Sequence, residues 1–141
     1  MFNLVVNFPS KEWLIKYQEA LNGEAGKAWQ EAAKDWEGDF LFVIEADDKL
    51  EKDLTFYIDL WHGECRRVEF IEDPAKAPQT EFQYRGKYSN WVDLIHGKID
   101  PIKGILMRKF KLVGNKAKVL RAAKAAQELV NTAQKIESVF L

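Results

Sequence analysis

Apolar positions along this chain switch between two periods, and the switch points divide it into elements. In "PSKEWLIKYQEALN", Trp13, Leu14, Tyr17 and Leu21 recur at helical spacing behind Ser10, a side chain suited to capping a helix N-terminus. Asn22 and Gly23 interrupt that helix. A second is predicted over about 24–36, carrying Ala25, Ala28, Trp29, Ala32 and Trp36, with Gly38 as its terminator. The period then shortens. "DFLFVIEA" (39–46) is a continuous β-branched and aromatic run, predicted to be a central strand buried on both faces. "LTFYIDLW" (54–61) alternates, with Leu54, Phe56, Ile58 and Leu60 on one face and Thr55, Tyr57, Asp59 and Trp61 on the other. His62, Gly63 and Glu64 make a tight turn into "CRRVEFI", where Val68 and Phe70 are expected to share a face with the stem of Arg66. After the Pro-containing loop "EDPAKAPQ", "TEFQYRG" (80–86) alternates again and points Phe82 and Tyr84 inward.

Helical spacing then returns. Ser89 is the predicted cap of a helix with an apolar stripe of Trp91, Leu94 and Ile95, and Pro101 suits the first turn of a short helix ending near 106. "MRKFKLVG" reads as a fifth strand, with Phe110 and Leu112 in and Lys109 and Lys111 out. Asn115 caps the last and longest helix, to about 136, whose inner line is Val119, Ala122, Ala126, Leu129, Ala133 and Ile136. Strands grouped ahead of helices predict an α+β fold. The expectation is a five-stranded, mostly antiparallel sheet covered by helices on one face, in a single domain spanning 1–141.

Composition narrows the class. A hydrophobic share of 47% with 30% charged residues excludes a disordered chain. Nothing approaches the ~18 consecutive apolar residues of a membrane span. The start "MFNLVVNFPSKEW" lacks the basic and apolar regions of a signal peptide, and the single Cys65 fits a reducing compartment, so a cytoplasmic location is expected. Familiar catalytic patterns are missing. His62 and Cys65 supply two zinc-type ligands where three or four are needed, and "EADDKLEKD" lacks the ligand spacing and Gly of a calcium loop. Asp59 is assigned to the solvated side of its strand. No Gly-rich phosphate loop occurs. No catalytic residue, metal or cofactor is therefore expected.

Charge is unevenly placed. Residues 98–141 hold ten Lys/Arg against three Asp/Glu, and residues 1–97 hold eleven against nineteen, so the two parts stand at +7 and -8 in a chain of net -1. Such polarity either steers an anionic partner to one end or is a solvated cationic face. No RNA-binding aromatic motif accompanies it, and nucleic acid is not the expected partner. The alanines of "AKVLRAAKAAQELV" (Ala122, Ala123, Ala125, Ala126) either let helix and sheet approach closely or leave space between them.

The stretch "DPIKGILMRKFKLVGNKAKVLRAAKAAQELV" resembles the C-terminal signature of the sterol carrier protein type-two (SCP2) sterol-binding domain family. The likeness lies in Asp100-Pro101, in Lys109-Phe110-Lys111-Leu112, in Gly114-Asn115 and in the helix beyond. The upstream segments "YIDLWHG" and "FQYRGKYSNWVDLIHGKIDP" follow the same order. The chain departs from the family's frequent Met-Thr-Gly with Met107-Arg108-Lys109, and carries Lys116 where a Met often follows Gly-Asn. The resemblance implies an apolar tunnel between sheet and helices that takes a sterol, fatty acid or acyl-CoA-like lipid, carried without chemistry. The alternative is an accessory protein that presents a lipid-like substrate to an enzyme or binds a protein partner. The expected lining is Phe56, Phe82, Tyr84, Trp91, Leu94 and Ile95, then Ile102, Ile105, Leu106, Met107, Phe110 and Leu112, then Val119, Leu120, Ala123 and Ala126. Arg108 and Lys116 would meet an anionic headgroup or an anionic membrane surface. Oligomeric state stays open, a weak homodimer included.

Overall fold

Residues 5–141 are described by the computed structural model. In chain order the elements are β1 (Val6–Phe8), α1 (Lys11–Asn22), α2 (Lys27–Ala32), β2 (Glu37–Glu45), β3 (Leu54–Trp61) and β4 (Glu64–Ile71). There follow β5 (Phe82–Lys87), α3 (Tyr88–Ile95), α4 (Pro101–Leu106), β6 (Phe110–Val113), α5 (Lys116–Arg121), α6 (Ala123–Gln134) and β7 (Ser138–Phe140). Residues 1–4 of the expected single domain lie outside this description.

The main sheet has the order β4-β3-β2-β5-β6, parallel only between β2 and β5. This is the expected five-stranded, mostly antiparallel α+β sheet. Alternation decides its two faces. Phe40, Ile44, Phe56, Ile58, Phe82, Tyr84, Phe110 and Leu112 point to the helical side and join one core with Trp13, Tyr17, Trp91 and Val119. Leu41, Val43, Tyr57 and Ile71 form a second small cluster on the opposite face, roofed by Ala77 from the β4–β5 loop. Phe40 lies beside Phe82, and Phe42 beside Tyr84, in the β2–β5 register. Aromatic rings therefore run continuously across the centre of the sheet.

Local signals placed several elements as expected. Ser10 Oγ accepts from Trp13 N, Asp100 Oδ2 accepts from Ile102 N and Lys103 N, and Asn115 Oδ1 accepts from Lys118 N. His62 (φ 50°) and Gly63 (φ 76°) both take left-handed conformations in the β3–β4 hairpin, which that two-residue turn requires.

Elsewhere tertiary packing prevails. The second helix stops at Ala32, leaving Trp36 outside it and Gly38 within β2. The Trp36 indole instead packs beside Phe40 and Phe82 (5.9 and 5.5 Å between centroids) and donates to Gly38 O. Ser89 does not cap α3, which begins at Tyr88; Ser89 N donates to Asp47 Oδ2 on the β2–β3 loop, so the cap arrives from a distant segment. The last helix is broken at Ala122 (φ -101°, ψ 28°) into α5 and α6. Alanine is a strong helix former, and no local signal marks that break. The fifth strand starts at Phe110 rather than Met107. A β-bulge at Asp59/Leu60 pairs Leu60 with Cys65 and Asp59 with Arg67. The extra residue turns Arg66 away from the face of Val68 and Phe70, and buried Cys65 takes the inner place. Arg66 lies 4.4 Å over the Trp61 ring and pairs with Asp59, which stands on the outer side of β3 as its alternation predicts. Finally, β1 and β7 pair in parallel, Val6 with Ser138 and Phe8 with Phe140, as a separate two-stranded sheet. Three residues are too few to show a period.

Candidate functional site

Between the sheet and its helices lies an internal cavity of about 80 Å³. Phe40, Phe42, Phe56 and Tyr84 floor it from β2, β3 and β5. Trp13 and Tyr17 come from α1, Trp91, Leu94 and Ile95 from α3, and Pro101, Ile102 and Ile105 from α4. Val119 enters from α5, Ala126, Leu129, Val130 and Ala133 from α6, and Phe8 from β1. A smaller void of about 30 Å³ adjoins it under α2, and both share Phe40, Val119, Ala126 and Leu129 as walls.

Four lining side chains carry a polar atom, and each is spent on the protein itself. Trp13 Nε1 donates to Ser138 Oγ (2.8 Å), Tyr17 Oη to Leu129 O (2.8 Å), Tyr84 Oη to Pro101 O (2.7 Å) and Trp91 Nε1 to Val43 O (3.0 Å). Burial holds the Tyr17 and Tyr84 phenols far above the usual tyrosine range, so both stay neutral donors. No buried side-chain N or O among the described residues lacks a partner. The cavity therefore offers a guest carbon and nothing else. Such a space takes apolar matter by exclusion from water.

Of the expected lining residues, Phe56, Tyr84, Trp91, Leu94, Ile95, Ile102, Ile105, Val119 and Ala126 meet at this cavity. Phe82 is fully buried beside it, stacked on Phe40 at 5.1 Å. Phe110 and Leu112 are buried in the same core but stand beyond the cavity, toward the sheet edge. Leu106, Met107, Leu120 and Ala123 do not reach it. The first three are 72%, 61% and 46% exposed, and Ala123 is exposed at the first position of α6. Leu106 and Met107 stand where α4 ends, Leu120 is on the side of α5 away from buried Val119, and Ala123 follows the break at Ala122. Phe8, Trp13, Tyr17, Phe40, Phe42, Pro101, Leu129, Val130 and Ala133 are added by the structure. Trp13, Tyr17, Leu129 and Ala133 were legible as the inner lines of their helices, whereas Phe8 sits in a strand with no readable pattern.

A second, open groove runs along β6 outside the sheet edge. Ile105, Leu106, Met107, Phe110, Leu112 and Leu120 are its apolar part, and Arg108, Lys109, Lys111 and Lys116 supply cations. Its one carboxylate, Glu45, faces Arg85 at 3.5 Å. Arg108 and Lys116 are thus at the groove and not at the inner cavity. Ile105 belongs to both, and is the wall between them.

Polar candidates elsewhere have structural partners. His62 Nδ1 donates to Lys34 O and Nε2 lies 2.6 Å from Glu37 Oε2, an arrangement that favours the imidazolium and raises its pKa. His96 is the C-cap of α3. Burial pushes the Cys65 thiol up to about 12. Among the described residues no three His, Cys, Asp or Glu side chains gather as a metal site would require, and no helix is long and apolar enough to cross a membrane.

A sequence model of the SCP-2 sterol transfer family matches residues 18–127, from α1 through the first turns of α6. The chain belongs to the SCP-2 sterol transfer family. The fold agrees. A crystal structure of a sterol carrier protein 2 superposes with a TM-score of 0.77 at 27% identity, covering 90% of this chain and 97% of that one. A solution structure from Thermus thermophilus, described as possibly a sterol carrier protein, gives 0.79 at 27% identity, covering 92% and 90%. The apo form of sterol carrier protein 2 from Yarrowia lipolytica has the same fold, with a TM-score of 0.60 at 20% identity over 96% and 99% of the chains. A search of curated protein sequences gave no match.

Proposed function

We propose that this protein binds an apolar lipid, of sterol, fatty acyl or acyl-CoA-like class, in the cavity between sheet and helices, and carries it without altering it. The observation that carries the reading is the lining: every polar atom in it is already bonded to protein, so only apolar contact remains for a guest. Membership of a sterol transfer family supports the same class of ligand.

The cavity must grow to do this. At about 80 Å³ it is smaller than the ~150 Å³ apolar cavity that accepts one benzene. Its growth has a direct route, because displacing Leu129 or Phe40 would join it to the neighbouring void. The small residues Ala126 and Ala133 leave α6 free to shift without unlocking large knobs. Burying ~10 methylenes supplies about 8 kcal/mol before association costs, which is enough for useful but modest affinity.

Native mass spectrometry of freshly purified protein, beside titration with the fluorescent fatty acid cis-parinaric acid, tests the reading. Co-purified lipid or saturable binding, lost in Ala126→Trp that remains folded, is the expected result. A protein that carries no lipid and does not bind the probe would overturn it. Binding that survives only with an enzyme partner present would favour the accessory role.

A further inference from the structure

The corner between α4 and β6 is unusual for a protein with a well-filled core. Leu106 and Met107 stand side by side at the end of α4, more exposed than any other large apolar side chains among the described residues. Leu120 stands across the groove, 46% exposed. Around them lie Arg108, Lys109, Lys111 and Lys116, and none of these four pairs with a carboxylate among the described residues. Of the other six cations in 98–141, Lys118 is committed to Glu81 and Glu37 O, Lys124 to Glu128 and Lys135 to Ala25 O, whereas Lys98, Lys103 and Arg121 carry no side-chain partner among the described residues. Four of the seven cations of this part without a side-chain partner thus line the groove beside the exposed apolar tips.

The backbone holds the tips out. Lys109 N donates to Gly104 O (2.9 Å) and Arg108 N to Ile105 O (3.1 Å), the paired bonds of a Schellman C-cap. Arg108 is the left-handed residue of that motif, at φ 60°. A position normally given to Gly is here a cation, next to the two exposed apolar residues.

We propose that this corner docks on an anionic bilayer. Leu106 and Met107 enter the boundary between headgroups and acyl chains, and Arg108, Lys109, Lys111 and Lys116 meet lipid phosphate or carboxylate groups. Charge decides the occupant: four free cations around a small apolar tip match a surface that is anionic outside and apolar beneath. Because Ile105 separates the groove from the inner cavity, docking here sets the membrane against a wall of that cavity. Only this last step rests on the lipid-carrying reading; the docking itself stands on the surface.

The test is insertion read at one site. Met107→Cys carrying an NBD label, with buried, high-pKa Cys65 unreactive in the folded protein, is mixed with phosphatidylcholine vesicles containing about 30% phosphatidylglycerol. A blue shift and rise in NBD emission is expected there, absent with pure phosphatidylcholine. It should also be absent when the label sits at Glu19→Cys on α1, which packs on β4 at the far edge of the sheet. Co-sedimentation of the unlabelled protein should fall roughly tenfold or more in Arg108→Gly/Lys116→Glu, and in Leu106→Ser/Met107→Ser. All the altered side chains are exposed, so every variant should stay folded, and the one carrying Arg108→Gly should gain rather than lose stability because it relieves a left-handed backbone. Three results would overturn the proposal: no change at position 107 with anionic vesicles; equal change at position 19; or self-association abolished by Leu106→Ser/Met107→Ser without vesicle binding, which makes the corner a homodimer contact. Docking with no lipid uptake would instead overturn the carrier reading and leave the docking surface standing.

Discussion

Arg108 holds at the end of α4 the position that Gly97 holds at the end of α3. Gly97 N donates to Leu94 O and Lys98 N to Asp93 O, reproducing the bonds made by Arg108 N and Lys109 N one helix later. Gly97 sits at φ 79° and Arg108 at φ 60°, but only glycine adopts this region without steric cost. Arg108→Gly should therefore stabilise the fold by about 1 kcal/mol even as it removes a cation. Urea unfolding checks it. A destabilised variant would mean that the Arg108 side chain holds the corner together.

The break at Ala122 separates two neighbouring alanines by role. Ala126 walls both internal voids, whereas Ala123 is exposed. Ala126→Trp is expected to abolish uptake of cis-parinaric acid and to cost about 1–3 kcal/mol if the voids do not absorb the ring. Ala123→Trp should change stability by less than about 0.5 kcal/mol and leave uptake intact. Equal loss of uptake in two folded variants would show that the void is not the binding site.

Gly86 lies directly under Phe110 across the β5–β6 ladder. A Cβ there would stand 2.5 Å from Phe110 Cδ1 and 3.0 Å from Lys109 O. Phe110 cannot yield easily, because it is stacked on Tyr84 at 4.6 Å and meets Trp91 edge-on at 5.2 Å. Gly86→Ala is expected to cost about 1–3 kcal/mol through that overpacking. A variant with wild-type unfolding midpoint would show that the edge strand is loosely held.

Asp47 ties the β2–β3 loop to the start of α3. Partial burial works to raise its pKa, but the N–H donors of Lys49 and Ser89 prevail and hold it below the ordinary aspartate value. A depressed pKa makes this stability present above the unfolded-state value of about 3.9 and lost as pH falls through the folded one. Asp47→Ala should cost about 1 kcal/mol at neutral pH, as other lost helix caps do. The difference from wild type should shrink as pH falls from the unfolded-state value through the lower folded-state one, and vanish once the carboxylate is protonated in both states. An unchanging difference across that range would rule out the carboxylate as the cap.

What could be read from the chain was whatever neighbours in sequence decide among themselves. Alternation in 54–61 gave β3 to the residue, and Ser10, Asp100 and Asn115 marked helix starts because a cap bonds within three positions. The inward set Phe56, Tyr84, Trp91, Phe110 followed from the same periods, and with it the aromatic core from which the cavity is cut. Tertiary structure decided where distant segments meet. Asp47 capping α3, Phe8 reaching the cavity through the β1–β7 pair, and Cys65 displacing Arg66 at a bulge all depend on partners brought in by the fold. The division of the apolar residues near 105–126 was settled there too. Leu106, Met107, Leu120 and Ala123 are as apolar as Ile105 and Ala126; the helical period put Ala126 on the inner line and left Leu120 and Ala123 off it, but 105–107 is too short to show a period of its own. Leu106 and Met107 end α4 just ahead of a left-handed Arg108 and face solvent, as Ala123 does just past the break at Ala122, while Ile105 and Ala126 stand at the cavity wall. Both features are backbone turns whose direction is chosen by the packing on either side of them.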